Sequence, residues 1–504
     1  MSDSRTEKAI KNIVFSFLSQ LLTLILAFVS RNCFIRYFGV EFLGLNGLFS
    51  DVLGLLSMAD LGFAIAMVYS FYEPLANHDE EKLAGLVTFY KKVYMFVATA
   101  VLLIGLLLLP LLPYIIKTET SIPSVNIYYL ISLLNVVFSY LWVYRTAILT
   151  ADQQEYRLKK VSMFISTLST AVQISVMYFT RSYVIYLMIS TVFSILNNII
   201  ASRLAVRLYP YITKNISISK EEKILIFKNL GSVFLFKISN VLINATDNIL
   251  ISMLIGTAIV GYYSNYSLIQ RQLLTFYSLL FTSMTASIGN MVVQESREKR
   301  YRIFDSQQSL SFVICLFLVP CFALLADDFI TIWLGKEYCL DNMTMMAICM
   351  NMYLACVLQP LWTYREATGL FKKTKWIMLI CAVINLILSV ILGKLMGLSG
   401  ILFASAFSRL LTYVWYEPRI LFREYFGISS RKYYLNIAKN FVVMLIVLGV
   451  GNELSSVIKV NSLLDWIIKA SFIGSFSMGF SLFVYRKSQG LSIIFEKIRL
   501  MVKL

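Results

Sequence analysis

The chain has 504 residues, of which 58% are hydrophobic and only 14% charged, with a formal net charge of +17. Soluble domains carry about a quarter charged residues, and a water-soluble fold of this composition would expose large apolar patches. The chain is therefore read as an all-α polytopic membrane protein, and its excess of positive charge as loop charge rather than a nucleic-acid-binding face.

Apolar blocks long enough to cross a hydrocarbon core, which takes about 20 helical residues, predict about 14 transmembrane helices. In chain order they are residues 13–35, 47–71, 91–113, 125–149, 161–180, 183–205, 230–255, 263–290, 308–326, 343–365, 376–394, 398–416, 440–457 and 463–485. The first block is too long for the apolar core of a signal peptide and lacks a small-residue cleavage site, so it counts as a span. It carries a polar stripe of Asn12, Ser16, Ser19, Gln20, Thr23, Ser30 and Arg31. The second has Asn46, Ser50, Ser57 and Asp60 on one side, with Asp51 off that face.

The fourth span closes on Leu141-Trp142-Val143-Tyr144-Arg145. The seventh holds Lys237, Asn240, Asn244, Asp247 and Asn248, and the eighth Ser264, Ser267, Arg271, Thr275, Ser278, Thr282 and Thr285. At 3.6 residues per turn, the set on the eighth falls within roughly a quarter of the circumference. Lys237 and Asp247 are about 15 Å apart along one helix and cannot simply neutralise each other. The tenth span closes on Leu361-Trp362-Thr363-Tyr364-Arg365.

Counting Lys and Arg in alternate connections gives 31 on the side of the N-terminus and 6 on the other, with the remaining 8 of the 45 in or at the ends of spans. The positive-inside rule then places both termini in the cytoplasm, where the basic loops face anionic lipid.

The sequence also repeats itself. The two Leu-Trp-x-Tyr-Arg segments are offset by 220 residues, and Gly39-Val-Glu-Phe-Leu-Gly44 returns as Gly256-Thr-Ala-Ile-Val-Gly261 at an offset of 217. A repeat of six helices, an even number, relates two parallel lobes by an axis along the membrane normal. The expected organisation is an N-terminal lobe at 1–208, a linker at 209–228, a C-terminal lobe at 229–420, and two added helices with a basic tail at 421–504. Such halves are the usual build of an alternating-access transporter, and the repeat predicts that the polar stripes of spans one and seven face each other.

Charge inside a bilayer costs at least about 2.5–3.5 kcal/mol per residue on insertion scales. Arg31, Lys237 and Arg271 are therefore read as lining a hydrated path, with Arg145 and Arg365 as a matched pair at its inner mouth. Gln20, Asn240, Asn244, Asn248, Thr275 and Thr282 are its polar lining, and Asp60 and Asp247 are candidates for coupling to an ion or proton. Ser and Thr stripes also serve plain helix packing.

No catalytic residues and no metal site are expected. The seven cysteines (33, 315, 321, 339, 349, 356 and 381) form no CxxC and read as small core residues, and the single histidine, His78, sits in a loop. There is no phosphate-binding loop of the G-x-x-x-x-G-K-[ST] type, so no ATP-driven step is expected.

With these residues in hand, the chain resembles the bacterial Wzx-type oligosaccharide flippases of the exporter superfamily that also holds the multidrug MATE proteins and the lipid II flippases. The resemblance lies in Arg31-Asn-Cys-Phe-Ile-Arg-Tyr-Phe-Gly-Val-Glu-Phe-Leu-Gly-Leu-Asn-Gly-Leu-Phe, Ala59-Asp60-Leu61-Gly62-Phe63, Ala151-Asp152-Gln153 and Thr246-Asp247-Asn248-Ile249. It continues in Ser264-Asn265-Tyr266, Ala286-Ser287-Ile288-Gly289-Asn290 and Ala367-Thr368-Gly369-Leu370-Phe371. It covers roughly residues 8–425.

The resemblance implies two six-helix lobes around a V-shaped cleft, in the bacterial cytoplasmic membrane. It also implies a sugar repeat unit on undecaprenyl pyrophosphate, moved from the cytoplasmic to the outer leaflet for capsule, O-antigen or exopolysaccharide assembly. Arginine and lysine suit a pyrophosphate through charge-assisted hydrogen bonds. No cofactor is expected beyond a coupling Na+ or H+. The expected partners are the lipid-linked oligosaccharide, membrane lipid, and the polymerase and glycosyltransferases of the same assembly, with a monomer as the functional unit and no nucleic acid. The alternatives are efflux of small amphipathic cations, which calls for a cavity of acids and aromatics, and a membrane enzyme or assembly scaffold, which calls for a catalytic constellation.

Overall fold

The computed structural model describes residues 5–60, 63–118, 122–224, 226, 238–239, 241–243, 245–282 and 284–488. The described residues are almost wholly helical and divide into two compact units, Met1–Gly261 and Tyr262–Leu504.

The first unit contains α1 (Arg5–Phe38), α2 (Val40–Leu56), α3 (Phe63–Ala76), α4 (Glu80–Leu108), α5 (Val125–Ala151), α6 (Glu155–Thr180), α7 (Tyr183–Leu208) and α8 (Asp247–Leu254). Here α5 packs on α4 and α7, and α6 on α1 and α7. The start of α9 (Thr257–Thr282) also belongs to this unit, up to Gly261.

The second unit holds the rest of α9 and α10 (Thr285–Gln294), α11 (Arg297–Trp333), α12 (Asn342–Thr368), α13 (Phe371–Met396), α14 (Leu398–Leu411), α15 (Tyr413–Leu421), α16 (Arg431–Ser456) and α17 (Leu463–Tyr485). Here α13 and α14 pack together, and α11 carries α12, α16 and α17.

Among the described residues, eleven helices are long and apolar enough to cross a membrane. The three expected spans outside that set are the second, seventh and eighth, which with the first are the ones that carry polar stripes. The second is broken: α2 ends at Leu56, a 3-10 turn runs over Ser57–Asp60, and α3 begins at Phe63. Ser57 and Asp60 are weaker helix formers than Leu or Ala, so a tightened 3-10 turn there costs little. The eighth is interrupted between Thr282 and Thr285. Much of the seventh lies outside the described residues, its last part being α8. The fold is thus that of a multi-span membrane protein with about fourteen spans.

Large apolar side chains stand exposed along the spanning helices, as lipid contact requires. Phe96, Leu107, Phe164, Phe179 and Val192 do so in the first unit, and Ile387, Val442 and Leu445 in the second.

Two parts of the chain show how local chemistry fixes the fold. Between α6 and α7 only Arg181 and Ser182 intervene. Arg181 adopts a left-handed conformation (φ +51°), and the Ser182 hydroxyl accepts from the Ile185 amide to cap the next helix. A ring cluster of Phe34, Phe38, Phe42, Tyr128, Tyr183 and Tyr186 pins that hairpin to α1, α2 and α5.

The last two spans are integral to the second unit. Trp466 donates its indole N–H to the Leu325 carbonyl (3.0 Å), Lys469 pairs with Asp328 (2.7 Å), and Asn440 donates to Tyr485 (3.0 Å).

Candidate functional site

In the first unit, Arg31 is half-buried on α1. Gln20 is half-buried on the same helix. Arg145, near the end of α5, donates from Nη1 to Ser202 Oγ of α7 at 3.3 Å and lies 5.5 Å from the Tyr144 ring centroid. The Asp60 main chain ends the 3-10 turn, while its side chain, like those of Lys237, Asn240 and Asn244, lies outside the described residues. Asp247 opens α8, half-buried. Asn248 is buried and donates from Nδ2 to Asp51 Oδ2 at 2.7 Å. Asp51, which lies off the face of Asn46 and Ser50 on α2, is thus the partner of Asn248.

In the second unit, Arg271 is exposed on α9, and its guanidinium folds back on Ser267, 3.3 Å from the carbonyl oxygen and 3.2 Å from Oγ. The hydroxyls of Thr275 and Thr282 donate to the carbonyls of Arg271 and Ser278, four residues back. This is the usual way a hydroxyl satisfies its donor inside a helix. Arg365 is buried, 8% exposed, and its Nη1 donates to Glu417 Oε1 at 2.8 Å; Glu417 is 2% exposed. A carboxylate and a guanidinium this deep need compensating partners, and here each supplies the other's counter-charge.

Sequence reasoning missed three acids here by a residue or two: Asp327, Asp328 and Glu417 all lie just past the boundaries drawn for their spans. Asp327 accepts a short hydrogen bond from the Tyr266 hydroxyl, which in turn accepts from the Leu340 amide at 3.3 Å.

A further cluster sits at the N-terminal end of α1. Lys8 Nζ lies 3.0 Å from Asp152 Oδ1, and Tyr209 Oη and Gln154 Nε2 each donate to Asp152 Oδ2 at 2.5 Å. Asn12 donates to the Gln153 carbonyl and accepts from the Tyr156 amide, both at 2.8 Å. Burial pushes the Asp152 carboxyl up, but the bonds from Tyr209, Gln154 and Lys8 outweigh it and hold the group below the ordinary value. Burial and the hydrogen bond to Asp152 raise the Tyr209 phenol. The start of α1 is thereby clipped to the loop between α5 and α6. Its only trace in the sequence is Ala151-Asp152-Gln153.

The described residues contain no group of three or more His, Cys, Asp or Glu side chains able to hold a metal ion.

The fold these helices build is shared with known transporters. A solved structure titled "Lipid II flippase MurJ, inward closed conformation" superposes with a TM-score of 0.72 at 15% identity, over 95% of this chain and 99% of that one. An inward-facing multidrug resistance MATE transporter of the MOP superfamily gives 0.60 at 15% identity, over 82% and 98%. The Vibrio cholerae MATE transporter VcmN in its bent form gives 0.53 at 14%, over 81% and 94%. No curated protein matches the sequence. The chain therefore has the fold of the MOP exporters. Residues 56–341 match the family described as "Polysaccharide biosynthesis protein", more than half of the chain, and the protein belongs to that family.

Proposed function

We propose that the protein is a flippase that carries an oligosaccharide repeat unit on undecaprenyl pyrophosphate from the cytoplasmic to the outer leaflet of the bacterial cytoplasmic membrane. The observation that carries this reading is the coincidence of two independent likenesses: a polysaccharide-biosynthesis family, and a fold shared along 95% of the chain with a flippase of a lipid-linked sugar. The mechanism is alternating access, with headgroup and glycan in a hydrated path and the prenyl chain in lipid. Arg31 and Arg271, with Lys237, offer the pyrophosphate cationic partners, because a dianion leaving water needs charge-assisted hydrogen bonds. Asp247 and Asp60 are the acids proposed to link the cycle to a Na+ or H+ gradient, with 31 basic loop residues keeping both termini cytoplasmic.

The test is transport by the purified protein in vesicles loaded with a labelled lipid-linked sugar. Label should become accessible to an external enzyme only when the protein is present. A rate equal to that of empty vesicles, with and without an imposed ion gradient, removes the reading.

A further inference from the structure

The repeated Leu-Trp-x-Tyr-Arg segment places one arginine in each unit, and the two face different partners. Arg145 meets Ser202 at 3.3 Å, whereas Arg365 meets Glu417 at 2.8 Å. Counted from the starts of their spans the partners stand alike: Ser202 lies 19 residues after Tyr183, where α7 begins, and Glu417 lies 19 after Leu398, where the twelfth span begins. One architecture, an arginine at the end of the fourth helix of each repeat reaching the sixth, thus carries a carboxylate in one copy and a hydroxyl in the other.

The chemical consequence is large. The Arg365 charge is neutralised inside its own unit and is committed to holding α12 against α15. The Arg145 charge is not neutralised by this contact, since a serine hydroxyl can accept its hydrogen bond but carries no charge. Among the described residues, no carboxylate lies within 4.0 Å of Arg145. Ser202 is buried, while Arg145 remains half-buried, so part of the guanidinium is reachable. A partly desolvated arginine keeps most of its five donors for a ligand, and its planar fork suits two phosphate oxygens.

We propose that Arg145 is the specificity-determining member of this pair: its guanidinium binds an oxyanion of the pyrophosphate headgroup within the first unit, and the Ser at 202 is what keeps it available. This rests on the flippase reading and adds Arg145 to the groups that contact the phosphates.

The test supplies the missing carboxylate. Ser202→Glu should reproduce in the first unit the ion pair present in the second and occupy Arg145. The full-length protein in detergent is titrated with a short-chain prenyl pyrophosphate, with melting temperature recorded in parallel. Ser202→Glu and Arg145→Gln should each weaken binding about tenfold or more, the scale of one charge-assisted hydrogen bond. Ser202→Glu should melt no earlier than the wild type, and Arg145→Lys should retain more affinity than Arg145→Gln. Undiminished binding by Ser202→Glu and Arg145→Gln overturns the proposal. Should Ser202→Glu not fold, Arg145→Gln and Arg145→Lys alone decide it. If the wild type itself binds no prenyl pyrophosphate and flips no lipid-linked sugar, the flippase reading fails, a different result from loss of the Arg145 effect alone.

Discussion

Gly44 and Gly261 meet back to back within the first unit. A Cβ on Gly44 would lie 1.9 Å from the Thr257 carbonyl oxygen, and one on Gly261 would lie 2.3 Å from the Val40 carbonyl oxygen. These are the closing glycines of the two copies of the repeated segment, so the motif that marks the duplication in the sequence packs against its own counterpart. The seam is tied further by the Thr257 amide donating to the Lys117 carbonyl (2.7 Å) and by Ser252 Oγ donating to the Ile115 carbonyl (2.8 Å).

The obstacle to a side chain at Gly44 or Gly261 is backbone, which cannot swing aside. Gly44→Ala and Gly261→Ala should each cost about 1–3 kcal/mol, the range for overpacking. Gly54, in the same helix α2, has nothing within 4 Å of the place a methyl group would take, and Gly54→Ala should be neutral or stabilise by about 0.4–1 kcal/mol. Thermal unfolding in detergent compares the three, and equal melting temperatures would show that the seam is not tight.

Removing one partner of the Arg365–Glu417 pair strands a buried charge. Arg365→Met or Glu417→Leu alone should destabilise by about 3–5 kcal/mol, while the double variant recovers most of the loss. A double-mutant cycle on chemical denaturation measures the coupling, and additive single effects would mean the two groups act separately.

The clip at Asp152 should depend on pH. Its carboxyl is held below the ordinary value of 3.8, so the charged form is favoured by folding. The stabilisation is full above that value and disappears as pH falls through the lower folded-state value. The melting-temperature gap between the wild type and Asp152→Asn should hold steady from pH 7 to about pH 5 and close only in stronger acid. A gap that closed near pH 6 would point to a different group.

Two variants probe the cationic path. Arg31→Ala and Arg271→Ala should insert normally but lose glycan transport in the vesicle assay. Arg271→Lys should keep more activity than Arg271→Ala if charge matters more than the guanidinium fork, and equal loss would favour bidentate recognition. Wild-type transport by both alanine variants would remove these two arginines from the site.

The fold was largely legible in the sequence, because spanning helices are declared by apolar length and the duplication by short matched segments. Reading failed at ends and bends. Glu417 lies one residue past the end drawn for its span, and Asp327 and Asp328 one and two past theirs, since helices here continue beyond the apolar block on which the boundaries were drawn. The 3-10 turn at Ser57–Asp60 breaks the second span, and the bond from Asn248 to Asp51 joins residues 197 positions apart that no sequence pattern links. Arg145 and Arg365 stand at the same place in the repeated sequence segment. Their difference was not legible there, because it resides in residues 57 and 52 positions further along, on another helix.

The bond between Lys469 and Asp328 also bears on how the chain is made. The two residues are 141 positions apart, and at about 5–20 residues per second of synthesis roughly 7–28 seconds pass before the lysine follows the aspartate off the ribosome. Until then Asp328 on α11 lacks the lysine that pairs with it in the folded unit. The pairing of α17 with α11 can therefore close only after most of the second unit has been made.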